Sequence, residues 1–146
     1  MRIRPADQTD VDGIAQIHRT ARAAAMPWLP VVHSATEDIA YFRDRVLPSE
    51  TVLVAETEDA MLGFVAFVGN WLNHLYIAPS SFRRGIGSQL LGMAQAKSDE
   101  LQLWTFQGNA TARAFYAKHG FRDVEFTDGQ NNEEQTPDVR LIWRRD

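Results

Sequence analysis

The spacing of apolar and polar positions predicts an ordered series of strands and helices along the chain. Short apolar runs bounded by turn residues predict seven strands, at residues 2–6, 52–56, 61–68, 71–77, 101–106, 121–126 and 139–143. A 3.6-residue apolar period predicts four helices, at about residues 9–26, 34–47, 86–99 and 109–118. Because consecutive hairpins come before a strand–helix–strand crossover, we expect an α/β fold around one mixed, mostly antiparallel sheet.

Capping residues mark where these helices begin. Thr9 begins the first helix with Asp12 as its capping-box partner, and Ser34 with Glu37 begins the second. Asn109 caps the fourth helix. The inward faces predicted for the first and third helices are, respectively, Val11, Ile14, Ala15, Ile17 and Ala21, and Ile86, Leu90, Met93 and Ala94.

Length and composition indicate a single domain over residues 1–146 with an ordinary core. The hydrophobic fraction of 45% and the charged fraction of 23% are typical of soluble globular proteins. No apolar run is long enough for a membrane span, and the N-terminal residues lack the apolar core of a signal peptide. We therefore expect a cytoplasmic protein with no membrane partner.

Charge and residue usage exclude several kinds of chemistry. The net charge of −4 argues against nucleic-acid binding, which usually needs a basic face. The chain has no cysteine, so disulfides, thiolate metal sites and a cysteine acyl-enzyme are excluded. The four histidines are scattered, with no pair at helical ligand spacing, and no metal is expected.

A glycine pair at the start of the third helix predicts an anion site. Arg83 and Arg84 precede Gly85-Ile86-Gly87-Ser88, where unpaired helical N–H groups and the helix dipole favour a phosphate. Gly87 is followed directly by Ser88 and Gln89, with no lysine until Lys97, which argues against an NTPase loop. Leu90 stands where a dinucleotide fingerprint needs a third glycine. The alternative is a glycine turn with two solvated arginines.

Two motifs resemble those of the GNAT superfamily of N-acetyltransferases. The first runs from Leu75 through this turn to Leu91, and the second is Asn109-Ala110-Thr111-Ala112-Arg113-Ala114-Phe115-Tyr116-Ala117-Lys118-His119-Gly120-Phe121. The tail, residues 125–140, is similar to a widespread group of bacterial GNAT proteins whose substrates are mostly unassigned. The resemblance, which covers nearly the whole chain, implies the GNAT fold, with about seven strands flanked by about four helices, and acetyl-CoA as cosubstrate.

The same resemblance implies roles for individual residues. The turn holds the pyrophosphate, the asparagine contacts the pantetheine arm, the tyrosine is the general acid near the sulfur, and a backbone N–H near Ile77 stabilises the oxyanion. The implied cosubstrate-binding set is Leu75, Tyr76, Ile77, Arg83, Arg84, Gly85, Ile86, Gly87, Ser88, Asn109, Arg113 and Tyr116. From the residues alone, Asn109 can equally be only a helix cap and Tyr116 only a core residue.

Two positions depart from the family pattern. Phe82 stands where Gln or Arg is usual, which puts side-chain contacts to the phosphates in question but leaves the backbone donors intact. Asn73 stands where an acidic residue is frequent, and an asparagine cannot act as a general base. The base is then one of His74, which is the first choice, His33, Glu133 or Glu134, or else a chain of water molecules.

The acceptor is poorly specified by the sequence. By analogy its pocket lies between residues 26–33, which include Trp28 and His33, and the acidic loop 127–138, and Asn73 is a further candidate for acceptor binding. Glu133 and Glu134 are candidates to attract a cationic amine, although a solvated charged loop is the alternative. Three hypotheses remain: a small-molecule or amino-acid N-acetyltransferase, a protein N-terminal or lysine acetyltransferase, and a non-catalytic acyl-CoA-binding module. The oligomeric state, including a homodimer, is left open.

Overall fold

The computed structural model describes residues 1–146 and contains seven strands and four helices in the predicted order. The strands are β1 (Arg2–Pro5), β2 (Thr51–Glu56), β3 (Met61–Val68), β4 (Trp71–Ile77), β5 (Glu100–Phe106), β6 (Arg122–Phe126) and β7 (Asp138–Arg144). The helices are α1 (Val11–Ala25), α2 (Ala35–Tyr41), α3 (Ile86–Ala96) and α4 (Ala110–Lys118). Short 3-10 turns lie at Gln8–Asp10 and Pro79–Ser81, and a π-helical turn at Phe42–Val46 continues α2.

All seven strands form one sheet in the order β1-β2-β3-β4-β5-β7-β6. Every neighbouring pair is antiparallel except β4 and β5, which are parallel. The predicted mixed, mostly antiparallel sheet is therefore confirmed. The parallel pair divides the sheet into an N-terminal half, β1 to β4, and a C-terminal half, β5 to β7.

Each face of the sheet carries its own apolar core. Because side chains alternate along β3, Phe64 and Ala66 face α1 and α2, whereas Val65 and Phe67 face α3. The first core also contains the inward residues of α1, where Val11, Ile14, Ala15, Ile17 and Ala21 are all buried as predicted. The second core joins α3 and α4 to β5 and β7.

Strand β4 carries a bulge that sets the direction of its side chains. His74 pairs with Ala66 and Leu72 pairs with Phe67, so Asn73 is the extra residue between them. After the bulge, Tyr76 packs in the core under α1 and α2, while Leu75 and Ile77 pack against the core under α3 and α4. A bulge of this kind re-aims side chains beside functional sites.

Two local predictions are wrong. The first capping box is made by Asp7 and Asp10 and not by Thr9 and Asp12, because a 3-10 turn precedes α1 and Arg4 holds Asp10 at 2.8 Å. In α3, Met93 is exposed and Leu91 is buried in its place. The face toward the sheet is Ile86, Leu90, Leu91 and Ala94.

Candidate active site

The two halves of the sheet separate between β4 and β5 and leave a cleft. Their ladder is limited to the pair Trp71 and Gln102, beside a hydrogen bond from the Gln102 N–H to the Asn70 carbonyl at 2.8 Å. The first cleft, of about 630 Å³, is lined by residues 72–76 of β4, residues 103–106 of β5, parts of α1 and α4, and the β6–β7 loop (residues 127–137). Because β4 and β5 separate after one residue pair, the backbone N–H and carbonyl groups beyond it are free to bind a ligand.

The backbone of β4 presents N–H donors to this open side. The Ala78 N–H donates to the Leu62 carbonyl of the β3 strand at 2.8 Å. Because N–H directions alternate along a strand, the N–H groups of Leu75 and Ile77 point away from β3, toward the gap. Leu75 and Ile77 therefore carry N–H groups that are not used by β3, and the oxyanion role expected of Ile77 stays a prediction.

The turn before α3 has the conformation of an anion site. Gly85 is left-handed, with φ of +77°, and Arg83 also has a positive φ of +66°. The first bond of the helix runs from the Gln89 N–H to the Gly85 carbonyl at 3.2 Å, so the N–H groups of residues 86–88 have no helical acceptor. Arg83 and Arg84 are exposed, and neither takes part in an ion pair or a side-chain hydrogen bond in this structure.

Helix α4 packs against this turn. The Ser88 hydroxyl lies 2.9 Å from Nε2 of His119, at the C-terminal end of α4, and the His119 ring lies against Phe115 in a tilted arrangement. A Cβ added to Gly87 would lie 3.4 Å from the Phe115 ring, an ordinary contact. Gly85 is therefore the glycine that the backbone conformation of the turn requires.

Tyr116 and Asn109 bring polar groups to the other wall of the first cleft. Tyr116 is buried, and burial, followed by the neighbouring Tyr76, raises the pKa of its phenol above the ordinary value. Its hydroxyl makes no hydrogen bond within the protein. Asn109 caps α4 through Oδ1, which accepts from the Ala112 N–H at 3.2 Å, and this leaves its Nδ2 group free.

Arg113, by contrast, is occupied elsewhere. Its guanidinium donates to the Gln107 carbonyl at 3.2 Å and to Asp123 at 2.9 Å, and it lies over the Phe126 ring. It does not line the cleft. Its expected contact with the cosubstrate therefore has no support from this geometry.

His74 sits where the first cleft meets a second one. Its Nε2 lies 3.0 Å from the Tyr41 hydroxyl, and its Nδ1 is enclosed without a partner. Burial, followed by the charge of Arg22, lowers the pKa of His74 to about 4. The neighbouring ring of His18, 5.8 Å away between centroids, has its pKa lowered to about 3 by burial. Both imidazoles are neutral at pH 7.

The second cleft, of about 840 Å³, lies between α1, α2 and the β6–β7 loop. Met26 and residues 29–33 line it, as expected for an acceptor side, but Trp28 does not. The Trp28 ring packs over Gly108, where an added Cβ would lie 3.2 Å from it. The two clefts share Arg22, Met26, His74 and Glu134.

Two ion pairs tie the β6–β7 loop to the first helical region. Arg22 of α1 lies 3.0 Å from Glu134, with both side chains mostly buried, and also donates to the Tyr76 hydroxyl at 3.4 Å. His33 lies 2.6 Å from Glu133, and that carboxylate raises the pKa of His33. The two glutamates predicted to attract an amine are therefore already engaged by side chains of the protein, Glu134 by the Arg22 guanidinium and Glu133 by the His33 ring.

Asn73 has a partner that sequence reasoning missed. Its Nδ2 group donates to Oε1 of Glu50 at 3.0 Å. Glu50 lies immediately before β2, and its partial burial raises the pKa of its carboxyl group. Arg22, His18 and Tyr41 were missed as well, and no local motif marks any of the four residues. Their placement depends on the packing of α1 and α2 on the sheet.

Comparison with known proteins identifies the family. A family model described as an acetyltransferase (GNAT) domain matches residues 48–123, slightly more than half of the chain. The chain belongs to the GNAT family. It is accordingly an acyltransferase, and the hypothesis of a non-catalytic module is set aside.

Relatives of this GNAT chain align over nearly its full length. It is 28% identical to the peptidyl-lysine N-acetyltransferase YiaC of Escherichia coli, over 97% of this chain and 95% of that protein. It resembles the apo form of YjaB from Escherichia coli with a TM-score of 0.81, at 24% identity over 99% and 98% of the chains. The PaiA N-acetyltransferase of Thermoplasma acidophilum, solved with coenzyme A, has a TM-score of 0.77 at 21% identity over 98% of each chain. The two solved structures confirm the GNAT fold.

Two other kinds of feature are missing from the fold. No group of three or more His, Asp and Glu side chains is arranged to hold a metal ion. None of the helices has the length and apolar character needed to cross a membrane.

Proposed function

We propose that this GNAT protein transfers the acetyl group of acetyl-CoA directly to the primary amine of a small molecule or amino acid. The observation that carries the proposal is the gap between β4 and β5, which exposes unpaired backbone N–H groups close to the N-terminal turn of α3. These two anion-binding features are neighbours, because a Cβ added to Gly87 would lie 3.8 Å from Cγ1 of Ile77. Together they suit a long ligand with a phosphate at one end and a carbonyl at the other.

The residues present fit acetyl-CoA. The N–H groups of residues 86–88 and the two free arginines hold the pyrophosphate, and the Nδ2 group of Asn109 is available to the pantetheine arm. The Ile77 N–H is directed to polarise the acyl carbonyl. When bound, acetyl-CoA supplies the thioester whose acetyl group is transferred.

The reaction needs two proton transfers, one to the departing thiolate and one from the acceptor amine, and Tyr116 and His74 are the candidates for them. Because its pKa is raised, the Tyr116 hydroxyl keeps its proton and can give it to a departing thiolate. An ammonium has no lone pair, so the acceptor must lose a proton before it attacks. His74 is neutral and lies at the junction of the clefts, where its Nε2 and the Tyr41 hydroxyl relay that proton to water. Its lowered pKa makes it a weak base, which favours transfer onward to water. The absence of cysteine supports direct transfer.

The acceptor amine enters at the junction of the two clefts. The β6–β7 loop is tied to the opposite wall by the Arg22–Glu134 and His33–Glu133 pairs, so the entrance is bounded on both sides. A bounded entrance favours a small amine over a folded protein surface. The paired carboxylates leave the loop with less free negative charge than its sequence indicates.

A lysine side chain of a protein is the second candidate. The similarity to YiaC, a peptidyl-lysine N-acetyltransferase, favours it. A lysine side chain also presents a primary amine on a narrow stem, which the same entrance can admit.

The test is release of free CoA thiol with a panel of small amines, free amino acids and lysine-containing peptides. The proposal predicts turnover with one or more small amines at a kcat/KM at least tenfold above that for peptides. Faster turnover of peptides would favour the second candidate, and no turnover with any amine would contradict both. The protein itself contributes no thiol background, because it lacks cysteine.

A further inference from the structure

A carboxylate from outside β4 meets the bulged residue of that strand. Glu50 precedes β2, and its own backbone N–H is fixed to the Val46 carbonyl at 2.9 Å. Its side chain reaches across the sheet to Asn73, where Oε1 accepts from Nδ2 at 3.0 Å. No cation pairs with Glu50, so the asparagine amide is its one side-chain hydrogen-bond partner within the protein.

The contact fixes which end of the Asn73 amide remains free. A carboxylate can only accept hydrogen bonds, so it holds the NH₂ end of the amide against itself. The carbonyl oxygen Oδ1 is then left on the other side. Asn73 lines the first cleft beside His74, and its Oδ1 accepts no hydrogen bond from the protein.

We propose that Glu50 is a positioning residue for the acceptor, because it orients Asn73 so that Oδ1 accepts a hydrogen bond from the amine. This inference rests on the proposed function and adds to it a residue that recognises the attacking nitrogen. The N–H groups of an incoming amine or ammonium are donors, so a free carbonyl oxygen is complementary to them, whereas an NH₂ group would repel them.

The chemistry permits a swap test. In Glu50→Gln the amide of Asn73 can turn over, because a glutamine side chain offers both a donor and an acceptor. In Asn73→Asp alone, two carboxylates meet about 3 Å apart. In the double variant Glu50→Gln/Asn73→Asp, the introduced glutamine NH₂ donates to the introduced carboxylate, and an acceptor oxygen again faces the cleft.

The experiment is steady-state kinetics of the full chain on the best amine of the panel, together with calorimetric titration of acetyl-CoA. We expect at least a tenfold rise in acceptor KM in each single variant, recovery to within about threefold of the parent in the double variant, and acetyl-CoA affinity within twofold throughout. Glu58→Gln, in an exposed turn, is the matched control. In NMR spectra, the side-chain NH₂ signals of Asn73 should shift in Glu50→Gln and stay in place in Glu58→Gln.

Each result decides the inference. An unchanged acceptor KM in Glu50→Gln, an equal loss of acetyl-CoA affinity, a double variant no better than the single ones, or unmoved Asn73 NH₂ signals would each overturn the positioning role. A parent protein that turns over no amine would overturn the proposed function instead, and this inference would fall with it. Turnover by the parent therefore separates the two failures.

Discussion

The acetyl-CoA side of the active site (the donor side) and the amine side (the acceptor side) use different kinds of groups. On the donor side, the turn before α3 and the open edge of β4 offer backbone N–H groups that the protein leaves unpaired. On the acceptor side, four pairs of side chains hold one another: Arg22 with Glu134, His33 with Glu133, Tyr41 with His74, and Glu50 with Asn73. The donor side depends on backbone geometry, whereas the acceptor side depends on long-range side-chain pairs.

The largest expected effect is on the donor side, at Tyr116. Removing its hydroxyl in Tyr116→Phe keeps the ring in its buried site and should lower kcat by about 10² to 10⁴-fold, as loss of a general acid does. Acetyl-CoA affinity should change little. Steady-state kinetics with calorimetry checks this, and a variant within twofold of the parent kcat would show that Tyr116 only packs.

The acceptor side should lose stability on acidification. In the folded protein the pKa values of His18 and His74 are about 3 and about 4, below the ordinary value of 6.5. Between pH 6.5 and pH 4 the unfolded chain therefore binds more protons at these two histidines than the folded protein does. Stability should therefore fall as the pH drops from about 6.5 toward 4, by at most about 2 kcal/mol per histidine at pH 5.

Chemical denaturation at pH 7 and pH 5 measures this effect. The double variant His18→Gln/His74→Gln should have a flatter dependence than the parent over the same interval. Glu56, whose pKa is lowered to about 2 by Arg4, titrates outside it. If the free energy of unfolding changes equally with pH in parent and variant, these two histidines are not the cause of the pH dependence.

A third prediction concerns the backbone of the phosphate turn. Gly85 has a left-handed φ of +77°, and a β-branched side chain there costs about 1 to 2 kcal/mol of strain. Gly85→Val should therefore distort the turn and weaken acetyl-CoA binding by about tenfold, or about 1.4 kcal/mol. Gly92→Ala, on the exposed side of α3 with open space at its Cβ, is the control. Unchanged affinity in a folded Gly85→Val protein would argue against the turn as the anion site.

The smallest expected effect is at the ion pair between α1 and the loop. Glu134→Gln leaves Arg22 without its carboxylate and loosens the entrance, so the acceptor KM should rise by about threefold while acetyl-CoA affinity stays constant. Glu133→Gln removes the more exposed pair with His33 and should raise the acceptor KM by a smaller factor. If both variants keep the parental acceptor KM, the loop takes no part in acceptor binding.

The contrast between the two sides also explains what the sequence could predict. The strands, the glycine turn and the Asn109 cap follow from local periodicity, positive φ and capping, all of which involve residues close together in the chain. The Glu50–Asn73 and Arg22–Glu134 pairs join residues 23 and 112 positions apart, so no local pattern announces them. The local error at the start of α1, where Asp7 and Asp10 replace Thr9 and Asp12, arose because an ion pair with Arg4 of β1 fixes Asp10, and capping patterns take no account of such a pair.

The most direct test of the central claim is to follow backbone amide signals by NMR while acetyl-CoA is added. The claim predicts that the largest shifts belong to the N–H groups of Leu75, Ile77 and residues 86–88, with the side-chain signals of Asn73 little changed. Shifts centred on Arg113 or on the second cleft, with those backbone signals unmoved, would contradict a donor site built from the open edge of β4 and the turn before α3.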